Sequence, residues 1–126
     1  FEPNFVEAQA NLVSGAIAAG DEKTAGEAAD DLLKLKSAPV FDVSAAKAAD
    51  AYIKAGKFDR ALELYEAAVA ANPSVAQYHA NLAGLYLNGG RKEEAIAAAR
   101  RAGELDPENF GKAAEQFIGK LNGLGK

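Results

Sequence analysis

His79 is the only histidine in the chain, and cysteine is absent. A lone imidazole can act as a general base or a single metal ligand. A zinc site needs at least three protein ligands, and no second histidine or thiolate exists to complete one. The adjacent carboxylates Asp30–Asp31 and Glu93–Glu94 would diverge by about 100° on a helix, too far apart to share a proton or a metal. They are expected on solvated surface. Ser14, Ser37, Ser44 and Ser74 have no histidine–carboxylate set to activate them, and Ser44 and Ser74 are better read as helix N-terminal residues. Gly89–Gly90 lacks the lysine and hydroxyl residue of a phosphate-binding loop, and Arg91–Lys92 after it fits a turn entering a helix. Arg100–Arg101 has the charge to hold an anion but reads as an exposed helix face. These residues therefore predict no catalysis, no cofactor and no metal.

The elements that carry them are helical. Alanine makes up about a quarter of the 126 residues, and it has the highest helix propensity. Aromatics are only 8%, so helices can approach closely while each buries little area. A chain of this length buries about two-thirds of its unfolded surface. Net charge is −4 with both signs interspersed. There is no basic stripe, which argues against nucleic acid as a partner. No apolar run approaches the roughly 20 residues of a membrane span, and no lysine-rich amphipathic helix suggests an anionic membrane surface. Direct membrane insertion is thus not expected. The absence of cysteine does not discriminate compartments. The sequence opens on Phe1 and contains no Met, which predicts a processed chain or part of a longer one.

A repeat of 34 residues organises the chain. Tyr52 recurs as Tyr86, Gly56 as Gly90, Ala61 as Ala95, Ala68 as Ala102 and Pro73 as Pro107. A period in this range marks a supersecondary unit stacked on copies of itself. In residues 42–75, Ala45, Ala48, Ala49, Tyr52 and Ile53 lie on one helical face, and Gly56 ends that helix. Phe58, Ala61, Leu62, Tyr65, Ala68 and Val69 mark the face of a second. Residues 76–109 repeat the plan with Leu82, Ala83 and Tyr86, then Ala95, Ile96, Ala99 and Ala102, after a capping box formed by Ser74 and Gln77. The stretch 4–41 fits a degenerate copy. Asn4 and Glu7 resemble a capping box, and Leu12, Gly20 and Ala25 lie 36 residues before Ala48, Gly56 and Ala61. The two extra residues fall at Lys36–Pro39, where insertion costs little. Residues 110–126 read as one amphipathic helix, with Phe110, Ala114, Phe117, Ile118 and Leu121 on its apolar face and Lys112, Glu115, Gln116 and Lys120 on its polar face.

The two central units resemble tetratricopeptide repeats. Leu82, Ala83, Tyr86, Ala95, Ala102 and Pro107 match the family signature in one, and Ala49, Tyr52, Ala61, Tyr65, Ala68 and Pro73 in the other. His79 stands where the family buries an aromatic, which favours packing over chemistry. The resemblance implies an all-α, right-handed solenoid of antiparallel helix pairs in a single domain over residues 1–126, with residues 110–126 either capping it or opening a further repeat. A capping helix over the last repeat's open apolar face is the family habit and the favoured reading; the 35-residue offset of Phe117, Leu121 and Gly125 from Leu82, Tyr86 and Gly90 supplies the alternative. Phe1, Phe5 and Val6 raise the same question of a covered or open apolar end.

The resemblance also implies a binding module whose first helices line a groove for a protein or peptide partner. The carried-over groove positions are Val43, Ala46, Asp50, Ile53 and Lys54, then Gln77, Ala80, Gly84, Leu87 and Asn88. The first copy supplies Glu7, Ala10, Ser14, Ile17 and Ala18. Family members that clamp a carboxylate tail use lysine and asparagine where this chain has Ala46, Ala80, Asp50 and Gly84, so that role is not expected. Ile17, Ile53 and Leu87 form an apolar ladder, either packing between repeats or seating an extended peptide or amphipathic helix. The alternative function is structural, a homo-oligomer built through end surfaces or the final helix.

Overall fold

Three glycines set the architecture. Gly20, Gly56 and Gly90 have φ of 76°, 77° and 76°, a left-handed conformation that a β-carbon disfavours. Each ends a helix with the same pair of hydrogen bonds. The glycine N–H groups donate to the carbonyls of Ile17, Ile53 and Leu87, all at 3.0 Å. The following N–H groups, of Asp21, Lys57 and Arg91, donate to Ala16, Tyr52 and Tyr86 at 2.8, 2.9 and 2.9 Å. This double closure satisfies the last carbonyls of the helix and turns the chain back on itself.

The structure, a computed structural model, describes residues 3–124, with side chains described over 5–123. Phe1, Gly125 and the side chain of Asn4 lie outside the described residues. The helices are α1 (Pro3–Ala18), α2 (Glu22–Leu33), α3 (Phe41–Lys54), α4 (Phe58–Ala71), α5 (Ala76–Asn88) and α6 (Lys92–Leu105). A π-helical turn, Pro107–Gly111, leads into α7 (Lys112–Leu124). The chain divides into two compact units, Phe1–Pro73 and Ser74–Lys126.

In the first unit, α1 pairs with α2, α3 pairs with α4, and α3 packs on α1. Val6, Val13, Leu32, Phe41, Leu64 and Tyr65 are its largest fully buried side chains, each worth about 1.5–3 kcal/mol of burial. Ala10, Ala45, Ala48, Ala49, Ala61 and Ala68 are also fully buried, so helix axes sit close together. Polar ties cross the helices. The Tyr65 hydroxyl donates to Asp50, and Lys47 on α3 donates to Asn11 on α1. Asn72 donates to Asp42 at 3.3 Å.

Helix starts depart from expectation at two places. Helix α1 begins at Pro3, so Asn4 lies inside the helix rather than ahead of it. Helix α5 begins at Ala76 after an extended Val75. Ser74 is therefore too far upstream to cap, and the Gln77 side chain donates instead to Asn81 at 3.0 Å. Ser44 sits buried in the first turn of α3. Leu12, the counterpart of buried Ala48, is 48% exposed; among the described residues no helix pair precedes α1 to cover that face. Phe5, 49% exposed, shares it, whereas Val6 is fully buried.

In the second unit, α5 and α6 pair through Leu82, Ala83, Ala95 and Ala99, and His79 is buried with them. Helix α7 rests mainly on α6. Gly103 makes this possible: a Cβ there would lie 3.1 Å from Ala114 Cβ and 3.4 Å from Gly111 Cα. Phe110 and Gly111, expected in the final helix, belong to the π-helical turn. Asp106 starts that turn by accepting from the Asn109 N–H at 3.2 Å, and Pro107 fits its first position. Ala114 and Leu121 are buried, Phe117 and Ile118 half-buried, and Lys112, Glu115, Gln116 and Lys120 exposed, as the amphipathic pattern predicts.

Two changes test this account. Val40, at φ 57°, is the one non-glycine residue in the left-handed region among those described. Asparagine tolerates that conformation, so Val40→Asn is expected to raise stability by about 1 kcal/mol in chemical denaturation; a loss would contradict the strain. Gly103→Leu overfills the α6–α7 contact and should lower the stability of the second unit by about 1–3 kcal/mol, whereas a neutral result would mean the contact yields freely.

Candidate binding surfaces

In the first unit, the expected groove residues fall into two groups. Val43, Asp50 and Lys54 are exposed, with Val43 at 59%. Ala46 is buried, and Ile17 and Ile53 are half-buried. Asp50 is engaged by Tyr65. Of the first copy's positions, Glu7 and Ala18 are exposed, Ala10 is buried, and the half-buried Ser14 donates its hydroxyl to the Ala10 carbonyl at 3.2 Å.

Ile17 also lines a cavity of about 300 Å³ at the turn end of this unit, with Tyr52, Ala25, Ala55 and the charged groups Glu22, Lys57 and Arg60. Burial raises the Tyr52 phenol above its ordinary pKa. The charges at the rim pair across helices: Lys57 with Glu22 at 2.6 Å and Arg60 with Asp30 at 2.7 Å. These hydrogen-bonded pairings hold the Glu22 and Asp30 carboxyls below the usual range. Asp21, which accepts from both the N–H and the hydroxyl of Thr24, is lowered likewise. Four of the charged residues first considered for chemistry form ion pairs at the surface. Asp30 binds Arg60, Asp31 pairs with Lys34 at 3.4 Å, Glu94 with Arg91 at 2.6 Å, and Arg101 with Glu104 at 3.6 Å. Among the described residues, no three potential ligands cluster to hold a metal ion, and no helix is long and apolar enough to cross a membrane.

In the second unit, Gln77, Gly84, Leu87 and Asn88 are exposed and Ala80 is half-buried. Ala80 and Gly84 open onto a cavity of about 290 Å³ between α5, α6 and α7. Ala83, Ala99, Ala102, Phe110, Ala113, Ala114 and Phe117 complete its lining. Every lining residue is alanine, glycine or phenylalanine. The α7 wall was not anticipated from sequence, where Phe110 and Phe117 read as an apolar helix face, either capping the last repeat or left open. The available signal was the small-residue set Gly103, Gly111 and Ala114, which draws α7 onto α6 and away from filling the face of α5.

Repeated antiparallel helix pairs closed by glycine turns, with no strand among the described residues, define a helical-repeat protein. Residues 46–110, more than half of the chain, match the tetratricopeptide repeat model. The chain belongs to the tetratricopeptide repeat family, and its fold is the all-α solenoid class the sequence implied. No curated protein matches the chain by sequence. Among solved structures, it is similar to the first TPR of Spaghetti (RPAP3) bound to the HSP90 peptide SRMEEVD, at 21% identity, 98% and 94% coverage of the two chains, and a TM-score of 0.69. It is also similar to the type III secretion chaperone SycD of Yersinia enterocolitica in complex with a peptide of the translocator YopD (14% identity, 99% and 98% coverage, TM-score 0.70). MamA is a third such structure, at 22% identity, 98% and 71% coverage, and a TM-score of 0.70. At these identities the likeness speaks for the fold.

A depressed carboxylate pKa stabilises the fold above the group's unfolded value and ceases to do so as pH falls through the folded value. Stability of the first unit is therefore expected to decline as pH drops below about 4. Arg60→Gln should flatten that decline in melting temperature against pH; an unchanged acid limb would remove Asp30 from the account.

Proposed function

We propose that this protein binds a peptide or helical segment of a protein partner through the inner faces of its first helices. The repeat boundaries proposed are 4–41, 42–75 and 76–109, followed by the segment 110–126. The binding positions are Ile17, Val43, Ala46, Asp50, Ile53 and Lys54 in the first unit and Gln77, Ala80, Gly84, Leu87 and Asn88 in the second. The observation that carries this reading is the open apolar cavity beside Ala80 and Gly84, two positions named from the groove pattern. Structural neighbours that hold peptides, from HSP90 and from YopD, support the same class of role. The acidic Asp50 and the small Ala46, Ala80 and Gly84 set these faces apart from a basic carboxylate clamp. Val43 and Leu87, 59% and 40% exposed, are the apolar positions with area left to bury. Fully covering an exposed apolar side chain of this kind gains about 1.5–3 kcal/mol gross, of which these partly buried positions retain a fraction, and association costs offset part of that.

A second reading, self-association, rests on the exposed Phe5 and Leu12 of α1. It predicts a mass that rises with concentration with no partner added.

The test is affinity capture from native lysate beside the variant Ile53→Glu/Leu87→Glu. Prey lost in the variant, with helicity and melting preserved, is the expected result. The same prey with both baits, or only the protein itself, would count against the groove. A large loss of stability would instead assign Ile53 and Leu87 to the core.

A further inference from the structure

The cavity of the second unit has a defined chemistry. Its walls offer no hydrogen-bonding side chain, because alanine, glycine and phenylalanine alone line it. Phe110 and Phe117 are half-buried, so each keeps aromatic surface that a guest can cover. Gly84 faces open space: a Cβ there would meet nothing within 4 Å. A volume of about 290 Å³ lies at the lower end for small-molecule sites, which run from about 300 to 1,000 Å³. That size suits a single large side chain rather than a cofactor.

On the α5 and α7 rims of the cavity the charge is one-sided, while of the acids on α6 and the turn, Glu94 pairs with Arg91, Glu104 pairs with Arg101, and Asp106 caps the turn. Ala113, Phe117 and Lys120 follow the i, i+4, i+7 spacing of one helix face, which places Lys120 on the cavity side of α7. Lys120 is exposed and makes no ion pair among the described residues. Helix α5 carries no acidic residue. The single acid of α7, Glu115, is two residues from Ala113 and so lies on the far side of the helix. Arg91, just past α5, is held by Glu94 and stacks over Tyr86 at 4.7 Å.

We infer that this cavity anchors one bulky apolar side chain of a partner peptide that carries an acidic residue beside the anchor. The inference rests on the protein-binding reading above and specifies its partner. The apolar side chain leaves water for a surface with no unsatisfied polar group to desolvate. The neighbouring carboxylate meets Lys120 at the rim, where a charge sets orientation and discriminates between partners more than it adds affinity. A buried anchor ringed by weaker contacts is the usual distribution of energy in such interfaces.

The probe is a random dodecapeptide display library selected on the full chain, on Gly84→Leu and on Lys120→Glu. Gly84→Leu fills the cavity from a position with open space and improves helix propensity, so the fold should hold, checked by helicity and melting. The expected result is enrichment of peptides with a Leu, Ile, Met or Phe next to Asp or Glu. Their affinity should fall at least tenfold with Gly84→Leu, and Lys120→Glu should exchange the acidic preference for a basic one. Peptides that bind without an apolar anchor, or that bind Gly84→Leu equally, overturn the inference while leaving a peptide-binding protein. Failure to select any peptide overturns both readings. A concentration-dependent doubling of mass that Gly84→Leu abolishes would give the cavity to a second copy of the chain and overturn the peptide.

Discussion

The left-handed turns at Gly20, Gly56 and Gly90 are the constraint on which the other features depend. Each fixes where one helix stops and the next begins to within a residue, so whatever flanks the glycine recurs at a fixed place. The residue three before it is Ile17, Ile53 or Leu87, whose carbonyl closes the turn. The residue after it is Asp21, Lys57 or Arg91, and each of these is put to electrostatic use. Asp21 caps α2, Arg91 grips Glu94, and Lys57 crosses to Glu22 beside the preceding turn. A backbone requirement at three positions thereby sets the same local arrangement at the end of each first helix, which is how a tetratricopeptide repeat converts periodicity in sequence into repeated local structure.

Small side chains decide what happens between the helices so placed. In the first unit, alanines let α1, α3 and α4 approach, while Phe41, Leu32, Leu64 and Tyr65 fill the space that remains. In the second unit, the same economy of side-chain size has a different result. Ala99 and Ala102 line one wall, and no aromatic from α5 or α6 occupies the gap. Helix α7 is drawn onto α6 by the Gly103–Ala114 contact and leaves the cavity as a cleft. The same preference for alanine gives a filled centre in the first unit, whose cavity lies at the turn end under charged side chains, and a wholly apolar cleft in the second.

Much of this was legible in the sequence because it rests on local chemistry. Glycine at a fixed offset predicts a left-handed turn whatever surrounds it, and the buried alanines and tyrosines of α3 to α6 followed from periodicity, although Phe58, expected on the inner face of α4, is 38% exposed and fully buried Leu64 was not on the expected face. The terminal elements were less legible for the opposite reason. Leu12 matches Ala48 by spacing, yet its exposure depends on whether a neighbour covers it, and spacing carries no information about neighbours. Ser74 with Gln77 has the composition of a capping box, but the extended backbone of Val75 moved the helix start and spoiled the geometry. The α7 wall of the cavity was hidden because its position depends on Gly103, a contact between helices that no pattern along one helix encodes. Arg60 with Asp30 joins residues thirty apart in the chain, and it too lies outside what periodicity reports.

The Gly103 contact has a mechanical implication. The spacing of α7 depends on Gly103 and Gly111, which meet beside the cleft and do not themselves line it. A methyl group added at this contact shifts the whole helix, and with it every aromatic and charged side chain the helix carries. The bore of the cleft is therefore adjustable from its foundations while its visible surface stays the same. Natural variation can retune such a protein to longer or shorter guests without altering a single residue of the contact face.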